Sequence, residues 1–461
     1  MLSGSITKNC RKHLNPVNRE IEAAASTLLT IAPTLITLMS LEDIDIISTR
    51  ALERGYLTPD EDDIARTLFA KFLSSRAALI QTMEDLRPLA SEQMRQKTPD
   101  HPEVFIVCYA AACLLMRTGY LLIDAFRKDS LLVKKLNEAE PRFGIPRKQF
   151  TKIYRSSTSP LNVWSFLEAN RYWEENRHLF QQRYADNPAV KSILDLLESE
   201  DSQVEISKRF YATNRLKYRL HSFLRRHHSG FKNVTFALFK TSGRLVSEIR
   251  FPKFWKRKRV TARVRKRLAD MLVPGDVIVT RHDDAASNLF LPGFWPHAAL
   301  YIGTEAQRAE LGLVLSDDHQ TPLDKSISVL EAQKDGVRFR KLSYTLGVDA
   351  CTILRPKLSR EEIRQGLERA ISHEGKEYDF EFDFRRSDKL VCTEVIYRGF
   401  HNCGSIRFEL SERAGRLCLA AEDLVARAID GSIFDVVALF GAKGNRLFIG
   451  DRAKKLLMKT S

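Results

Sequence analysis

Residues 274–303 read PGDVIVTRHDDAASNLFLPGFWPHAALYIG, and within them the period of the apolar residues changes. PGDVIVTR and HAALYIG are short apolar, partly β-branched runs bounded by Gly and Pro, the pattern of strands. Alternation continues downstream in SISVLEA, GVRFRKL and ACTILRP. LSREEIRQGLERAISHEG then reads as a helix, with Ser359 as N-cap and Glu362 three residues on to close a capping box. A further helix is expected in AAEDLVARAID, while FDVVALF suits either strand or helix. Strands before and between helices make this half α+β.

Upstream the period is different. From about residue 16 to 245 apolar residues recur at spacings of three and four, which predicts an all-helical N-terminal domain. EDDIARTLFAKFLSSRAALIQTMEDL opens after Pro59-Asp60, and NPAVKSILDLLES opens on Asn187 as cap and Pro188 in the first turn. KTPDHPE, EPRFGIPRK and SSTSPLN read as loops. Ala23 to Leu41 is uncharged but rich in Thr and Ser and reads as a buried or amphipathic helix, Val104 to Ile123 is interrupted by Arg117 and reads as a core helix, and no transmembrane segment is assigned. No secretory leader is read at the N-terminus, and a cytoplasmic location, peripheral at a membrane at most, is expected.

Charge is concentrated between the halves. The chain carries a net +15, and RFPKFWKRKRVTARVRKR at 250–267 holds ten Lys/Arg and no acid. Such a run attracts phosphates, whether of lipid head groups, a cell-wall polymer or nucleic acid, unless it serves only as a solvated linker. Phe251, Phe254 and Trp255 among the cations favour an anionic membrane surface. No nucleic-acid-binding fold is recognised beside it, so nucleic acid is disfavoured. His227 and His228, next to Arg225 and Arg226, are read as a solvated loop. The chain thus divides into a helical domain of unassigned role at 1–248, a basic linker or arm at 249–270, a second domain at 271–435 and a basic tail at 436–461.

Seven cysteines, at 10, 108, 113, 351, 392, 403 and 418, form no CxxC pair and lack zinc-type spacing to histidine. They are read as reduced thiols, with no metal site and no cofactor expected. A phosphate-binding GxxxxGK[ST] loop, a dinucleotide G-x-G-x-x-G and HExxH are all missing from the sequence, which disfavours nucleotide-driven and zinc-protease chemistry.

Two residues in the second domain sit where chemistry is possible. His297 opens an apolar strand directly after the Gly293–Pro296 turn. Cys392, in KLVCTEVIYRGF, precedes a helical run, and a helix N-terminus favours thiolate over thiol and offers N–H groups to an oxyanion. Either residue alone has an ordinary structural reading, as a core thiol or a satisfied histidine; together they suggest a nucleophile and its base.

The motifs that carry a resemblance are G-D-V-I-x-T-R, P-G-x-W-x-H-A-A-L-Y-I-G, Y-D-F-x-F-D-F and C-T-E-x-I-Y, spread over roughly 272 to 430. In combination they resemble the YiiX/YebB-like branch of the permuted papain-like hydrolases, in the NlpC/P60 superfamily. The resemblance implies a circularly permuted papain-like domain, because His297 comes 95 positions before Cys392, the reverse of the papain order. It also implies a Cys/His hydrolase that passes through an acyl-thioester, with Cys392 as nucleophile and His297 as base. Glu331 is the third member that the family pattern V-x-E-A-x-x-x-G-V indicates, with Asp317, Asp318 or His319 as substitutes. Tyr301, four positions after His297 and so on the same strand face, and Tyr378 and Asp379 with Asp383 are candidate pocket residues; core packing or a scaffold role is the alternative for each. Asp276 is read as bracing the Gly275 turn, and Glu394 as structural.

The substrate expected is an amide or ester: a peptide, a cell-wall fragment or a lipid. The alternatives are a phosphate-polymer or membrane-surface binding protein acting through 250–267 with a non-catalytic hydrolase-like domain, and a helical interaction scaffold.

Overall fold

The computed structural model describes residues 16–38, 49–96, 102–126, 130–199, 258–282, 294–315, 324–380, 382–413 and 416–459. Asp317, Asp318, His319, Phe251, Phe254, Trp255 and the 225–228 cluster lie outside these residues. Two units are distinguished: one of residues 1–53, 64–137 and 145–224, the other of 54–63, 138–144 and 225–461.

Helices Pro16–Leu38, Pro102–Phe126, Gln149–Ser157 and Pro160–Arg183 build the first unit together with most of Pro59–Gln96. Asn187 caps as its sequence requires, its Oδ1 accepting the Val190 N–H at 3.3 Å. Pro102–Asp124 is long and apolar enough to cross a membrane by length and composition. In this unit Ile106, Val107, Ala111 and Leu114 of that helix are buried.

In the second unit an antiparallel sheet of seven strands runs in the order β11-β10-β5-β1-β2-β3-β4. The strands are β1 Val277–Arg281, β2 His297–Tyr301, β3 Ile327–Gln333, β4 Gly336–Lys341, β5 Ala350–Pro356, β6 Glu377–Tyr378, β7 Lys389–Leu390, β8 Ser411–Arg413, β9 Arg416–Cys418, β10 Phe434–Phe440 and β11 Leu447–Ile449. Of these, β6 pairs with β7 and β8 with β9 as separate two-stranded ribbons. Val277, Ile278 and Val279 are all fully buried, so β1 is covered on both faces and its continuous apolar run follows from that. The Asp276 side chain fixes the entry to β1, accepting from the Val273 N–H at 3.0 Å and from Arg355 Nε and Nη2, each at 2.8 Å. Gly275, at φ 96°, precedes it, and a Cβ there would strike Ile363 Cγ2 at 2.9 Å.

The helix that carries Cys392, Cys392–Phe400, is buried along its whole length and crosses helix Arg360–Ile371 at two glycines. A Cβ on Gly366 would lie 2.4 Å from Phe400 Cδ1, and one on Gly399 would lie 3.0 Å from the Gly366 carbonyl. Gly366→Ala gains helix propensity of about 1 kcal/mol but overpacks this crossing. The overpacking cost of roughly 1–3 kcal/mol outweighs that gain, and a net loss of up to about 2 kcal/mol is expected, read as a lower denaturant midpoint at unchanged m-value.

The end of the chain differs from the basic tail expected from residue 436. β10 pairs with β5 through Phe434↔Pro356 to Phe440↔Cys351, and helix Asp451–Leu457 buries Ala453 and Leu457 completely. FDVVALF is therefore a strand, held by a neighbour some eighty residues earlier in the chain, and of RAKKLLMK at 452–459 Ala453 and Leu457 face the core. The basic stretch is divided as well. Val260 and Leu268 are buried in the core, and Arg259 donates to the Gly441 and Gly444 carbonyls at 2.9 Å. Arg263, Lys266 and Arg267 are exposed on helix Ala262–Ala269.

Candidate active site

Three elements of the second unit bring Cys392, His297 and Glu331 together. His297 is the first residue of β2, opposite Thr280 of β1, and Glu331 lies on the adjoining strand β3. His297 Nε2 is 2.9 Å from Glu331 Oε2. The Glu331 side chain is fully buried, and its other oxygen accepts the Thr345 hydroxyl at 3.3 Å. Arg340 Nε stands 3.8 Å from that same oxygen. A buried carboxylate tied at both oxygens has little freedom to turn, and it fixes the ring beside it.

Cys392 occupies the first turn of its helix, 6% exposed, and is hydrogen-bonded to His297. Burial by itself would push the thiol up; the His297 charge and hydrogen bond, with the backbone N–H groups of Ala298 and Thr393, outweigh it and hold it below the ordinary thiol value. Burial likewise opposes a charge on His297, but the Cys392 sulfur and the Glu331 carboxylate carry it upward. Both shifts favour one state, the thiolate–imidazolium pair. With Nε2 engaged by Glu331, Nδ1 is the nitrogen left to the sulfur.

Glu394, two residues after the nucleophile, would oppose a thiolate were its charge not answered. Arg398, one turn on, donates to Glu394 Oε1 from Nε at 2.9 Å and Nη2 at 2.8 Å, and so offsets it. The spacing of four between these residues was the signal in the sequence that could have revealed this pair. Nothing in the sequence pointed to Thr345 or Arg340.

The pocket candidates divide. Tyr378 of β6 pairs with Leu390, two residues before Cys392. Burial, then the Cys392 sulfur and Asp379, push its phenol well above the ordinary range, so it remains an O–H donor beside the site. Its ring meets Phe380 and Phe382 edge-on at 5.0 and 6.0 Å. Asp379 is buried and accepts the Asp383 N–H at 2.8 Å, which fixes the turn between Tyr378 and Phe384. Tyr301 is not brought to the Cys–His pair. Four residues along a strand carry it about 13 Å from His297, and its hydroxyl donates to Gln307 Oε1 at 2.8 Å. Among the described residues no group of His, Cys, Asp and Glu is arranged to hold a metal ion.

Glu331→Gln keeps the volume but removes the charge that supports the imidazolium. Alkylation of Cys392 at pH 6 is expected to slow about tenfold while the protein stays folded, as measured by peptide mapping alongside circular dichroism.

Comparison with curated proteins finds no match to the chain, nor does comparison with solved structures. Residues 271–429 match the family model described as permuted papain-like amidase enzyme, YaeF/YiiX, C92 family. That match covers every strand from β1 to β9 and all three residues of the cluster. It identifies residues 271–429 as a domain of the permuted papain-like amidase family, a family of cysteine hydrolases.

Proposed function

We propose that the protein hydrolyses an amide bond with Cys392 as nucleophile, His297 as general base and acid, and Glu331 as the group that orients the imidazole. The observation that carries this reading is His297 held between a buried carboxylate at 2.9 Å and a thiol at a helix N-terminus. The Cys392 thiolate attacks the carbonyl carbon, and backbone N–H groups at the helix N-terminus receive the developing oxyanion. Collapse expels the amine, which takes its proton from His297, and leaves an acyl-thioester. His297 then takes a proton from water, whose oxygen attacks the thioester carbonyl; the C–S bond breaks, the carboxylic acid leaves, and the thiolate–imidazolium pair is restored. Tyr378, kept protonated, supplies a further donor at the rim. An ester can follow the same path, so an acyl-ester substrate is the natural extension, and peptides, cell-wall fragments and lipids all offer a suitable carbonyl. We place the domain in the NlpC/P60 superfamily with its chain order circularly permuted; catalysis depends on geometry rather than order, so the reversal leaves the mechanism unchanged.

The test is to trap the intermediate. After acid quench of a reaction with acyl p-nitroanilides and p-nitrophenyl esters, the peptide containing Cys392 is expected to carry the acyl mass. Product formation that persists unchanged in Cys392→Ala, with no adduct in the wild type, would overturn the proposal.

A second property is supported by the exposed cations of helix Ala262–Ala269: attachment to an anionic membrane surface, consistent with a cytoplasmic protein at the periphery of a membrane. The partition constant for vesicles containing phosphatidylserine, read by co-sedimentation, is expected to drop on the order of a hundredfold or more on reversing Arg263, Lys266 and Arg267 to Glu, at about 1 kcal/mol for each cation near the surface. Unchanged co-sedimentation would remove this reading. Salt-steep binding to DNA in place of vesicles would move it to nucleic acid.

A further inference from the structure

The helical unit encloses a half-open cavity of about 440 Å³ that the hydrolase chemistry does not use. Its volume lies in the range of roughly 300–1,000 Å³ usual for small-molecule sites. Phe105, Cys108, Ala112 and Leu115 line it from helix Pro102–Phe126, and their spacing of three or four residues puts them on one face. Ile80 and Met83 approach from helix Pro59–Gln96, Phe166 and Ala169 from helix Pro160–Arg183. The room exists because Cys108, Ala112 and Ala169 are small where the helices face one another. The aromatic floor is stiffened by Tyr109, which stacks on Phe166 at 6.1 Å and donates its hydroxyl to Asn170 at 3.0 Å.

The polar groups lie elsewhere on the wall. Arg76 lines the cavity one turn before Ile80, with Nη2 3.4 Å from the Ser156 hydroxyl. Glu84 also lines it, but its carboxylate is engaged by Arg87. A mostly apolar chamber with one guanidinium is matched by a long apolar tail with an anionic head. A peptide or nucleotide would strand its many polar groups against Phe105, Leu115 and Phe166.

We propose that this cavity binds a single acyl chain, its anionic head on Arg76, as a long-chain fatty acid or a lysophospholipid of the same chain length. The proposal uses only residues of the helical unit and stands independently of the reaction at Cys392.

The test uses the full chain and cis-parinarate, whose fluorescence rises in apolar surroundings. Saturable binding of one probe per chain, displaced by palmitate, is expected. Ala112→Trp and Ala169→Trp fill the chamber and are each expected to weaken binding at least tenfold. Arg76→Gln is expected to weaken palmitate about tenfold through the lost charge-assisted contact, while leaving hexadecanol unaffected. In the wild type, palmitate is expected to slow N-ethylmaleimide labelling of Cys108 at pH 8.5. Tighter displacement by lysophosphatidate than by palmitate assigns the ligand to membrane lipid, and the reverse assigns it to free fatty acid. The proposal is overturned if the two Trp variants fold and bind as the wild type does. Should both fail to fold, unchanged Cys108 labelling in saturating palmitate overturns it instead.

Discussion

Between pH 6 and 8, Cys392 of the native protein is expected to react with iodoacetamide at a nearly constant rate, while ordinary thiols speed up about tenfold per pH unit. The sign follows from the geometry. His297 holds the Cys392 thiol below its usual range, and a thiol paired with an imidazolium at a helix N-terminus is expected to ionise well before ordinary thiols do. Cys108 and Cys351 are driven the opposite way by burial, to about 11 and about 12, and remain thiols throughout that interval. His297→Ala removes the cation and leaves burial unopposed; Cys392 then joins the slow class and its labelling rises with pH.

The same variants decide turnover. Removing either member of a nucleophile–base pair that acts as a unit costs on the order of 10⁴-fold or more in kcat, and removing both costs little beyond that. Cys392→Ala, His297→Ala and the double variant are therefore expected to be about equally inactive towards any amide the wild type cleaves. Activity should appear as the thiolate forms and fade as His297 loses its proton, which its raised value places on the alkaline side of neutrality. Labelling of Cys392 that rises with pH as a normal thiol does, with His297→Ala labelling identically, would remove the ion pair and the mechanism that depends on it.

The parts of this arrangement that could be read beforehand are those carried by local chemistry. Ser359 and Glu362 close their capping box, with the Glu362 carboxylate accepting from the Ser359 N–H at 2.7 Å, because both partners lie within one helical turn. The β1 run is a strand because its β-branched residues favour extended backbone, and β2, whose Ala and Leu have no such preference, is held extended by its ladder to β1 from Val277↔Leu300 to Thr280↔His297. Cys392 starts its helix as the sequence around it suggests. For Tyr301 the sequence leaves pocket and core both open, since alternation gives a face but not a distance; Gln307, brought up by the next helix, takes its hydroxyl. Thr345 reaches Glu331 from a four-residue helix, and β10 completes the sheet beside β5; both depend on pairings between distant positions that periodicity does not encode. Glu140 shows the same limit most plainly. It sits in EPRFGIPRK, which reads as a loop, yet residues 138–144 belong to the second unit.

Replacing Glu140 is expected to be the most destabilising single polar change in that unit. Its fully buried carboxylate accepts from Lys376 Nζ at 2.7 Å and from Arg142 Nε at 3.0 Å, and Lys376, 2% exposed, also donates to the Ser387 carbonyl at 2.7 Å. Arg142 in turn reaches Asp63 at 2.8 Å, and Glu138 accepts from the Ser387 N–H and hydroxyl at 3.1 and 3.0 Å. Glu140→Gln leaves the Lys376 ammonium buried without its counter-charge, a loss of roughly 3–5 kcal/mol for a broken buried pair. Lys376→Met in the same chain should restore part of it, since an apolar replacement of both charges removes the stranded one. The pH dependence gives an independent reading. Burial opposes the Glu140 charge, but Lys376 and Arg142 prevail and hold the carboxyl at about 2, below its ordinary 4.5. A folded-state value depressed in this way stabilises the fold fully above about 4.5 and loses that contribution as pH falls towards 2, on the order of 3 kcal/mol in total. Urea unfolding of the wild type should therefore weaken steeply between pH 5 and 3, and Glu140→Gln should flatten the slope over that interval. The loops tied by this pair, 373–378 and 385–390, carry Tyr378 and the strand β7 that leads into Cys392. Iodoacetamide labelling of Cys392 in Glu140→Gln is accordingly expected to lose its constancy before the protein unfolds; a variant as stable as the wild type at pH 7 would show that the buried pair contributes nothing to holding these loops.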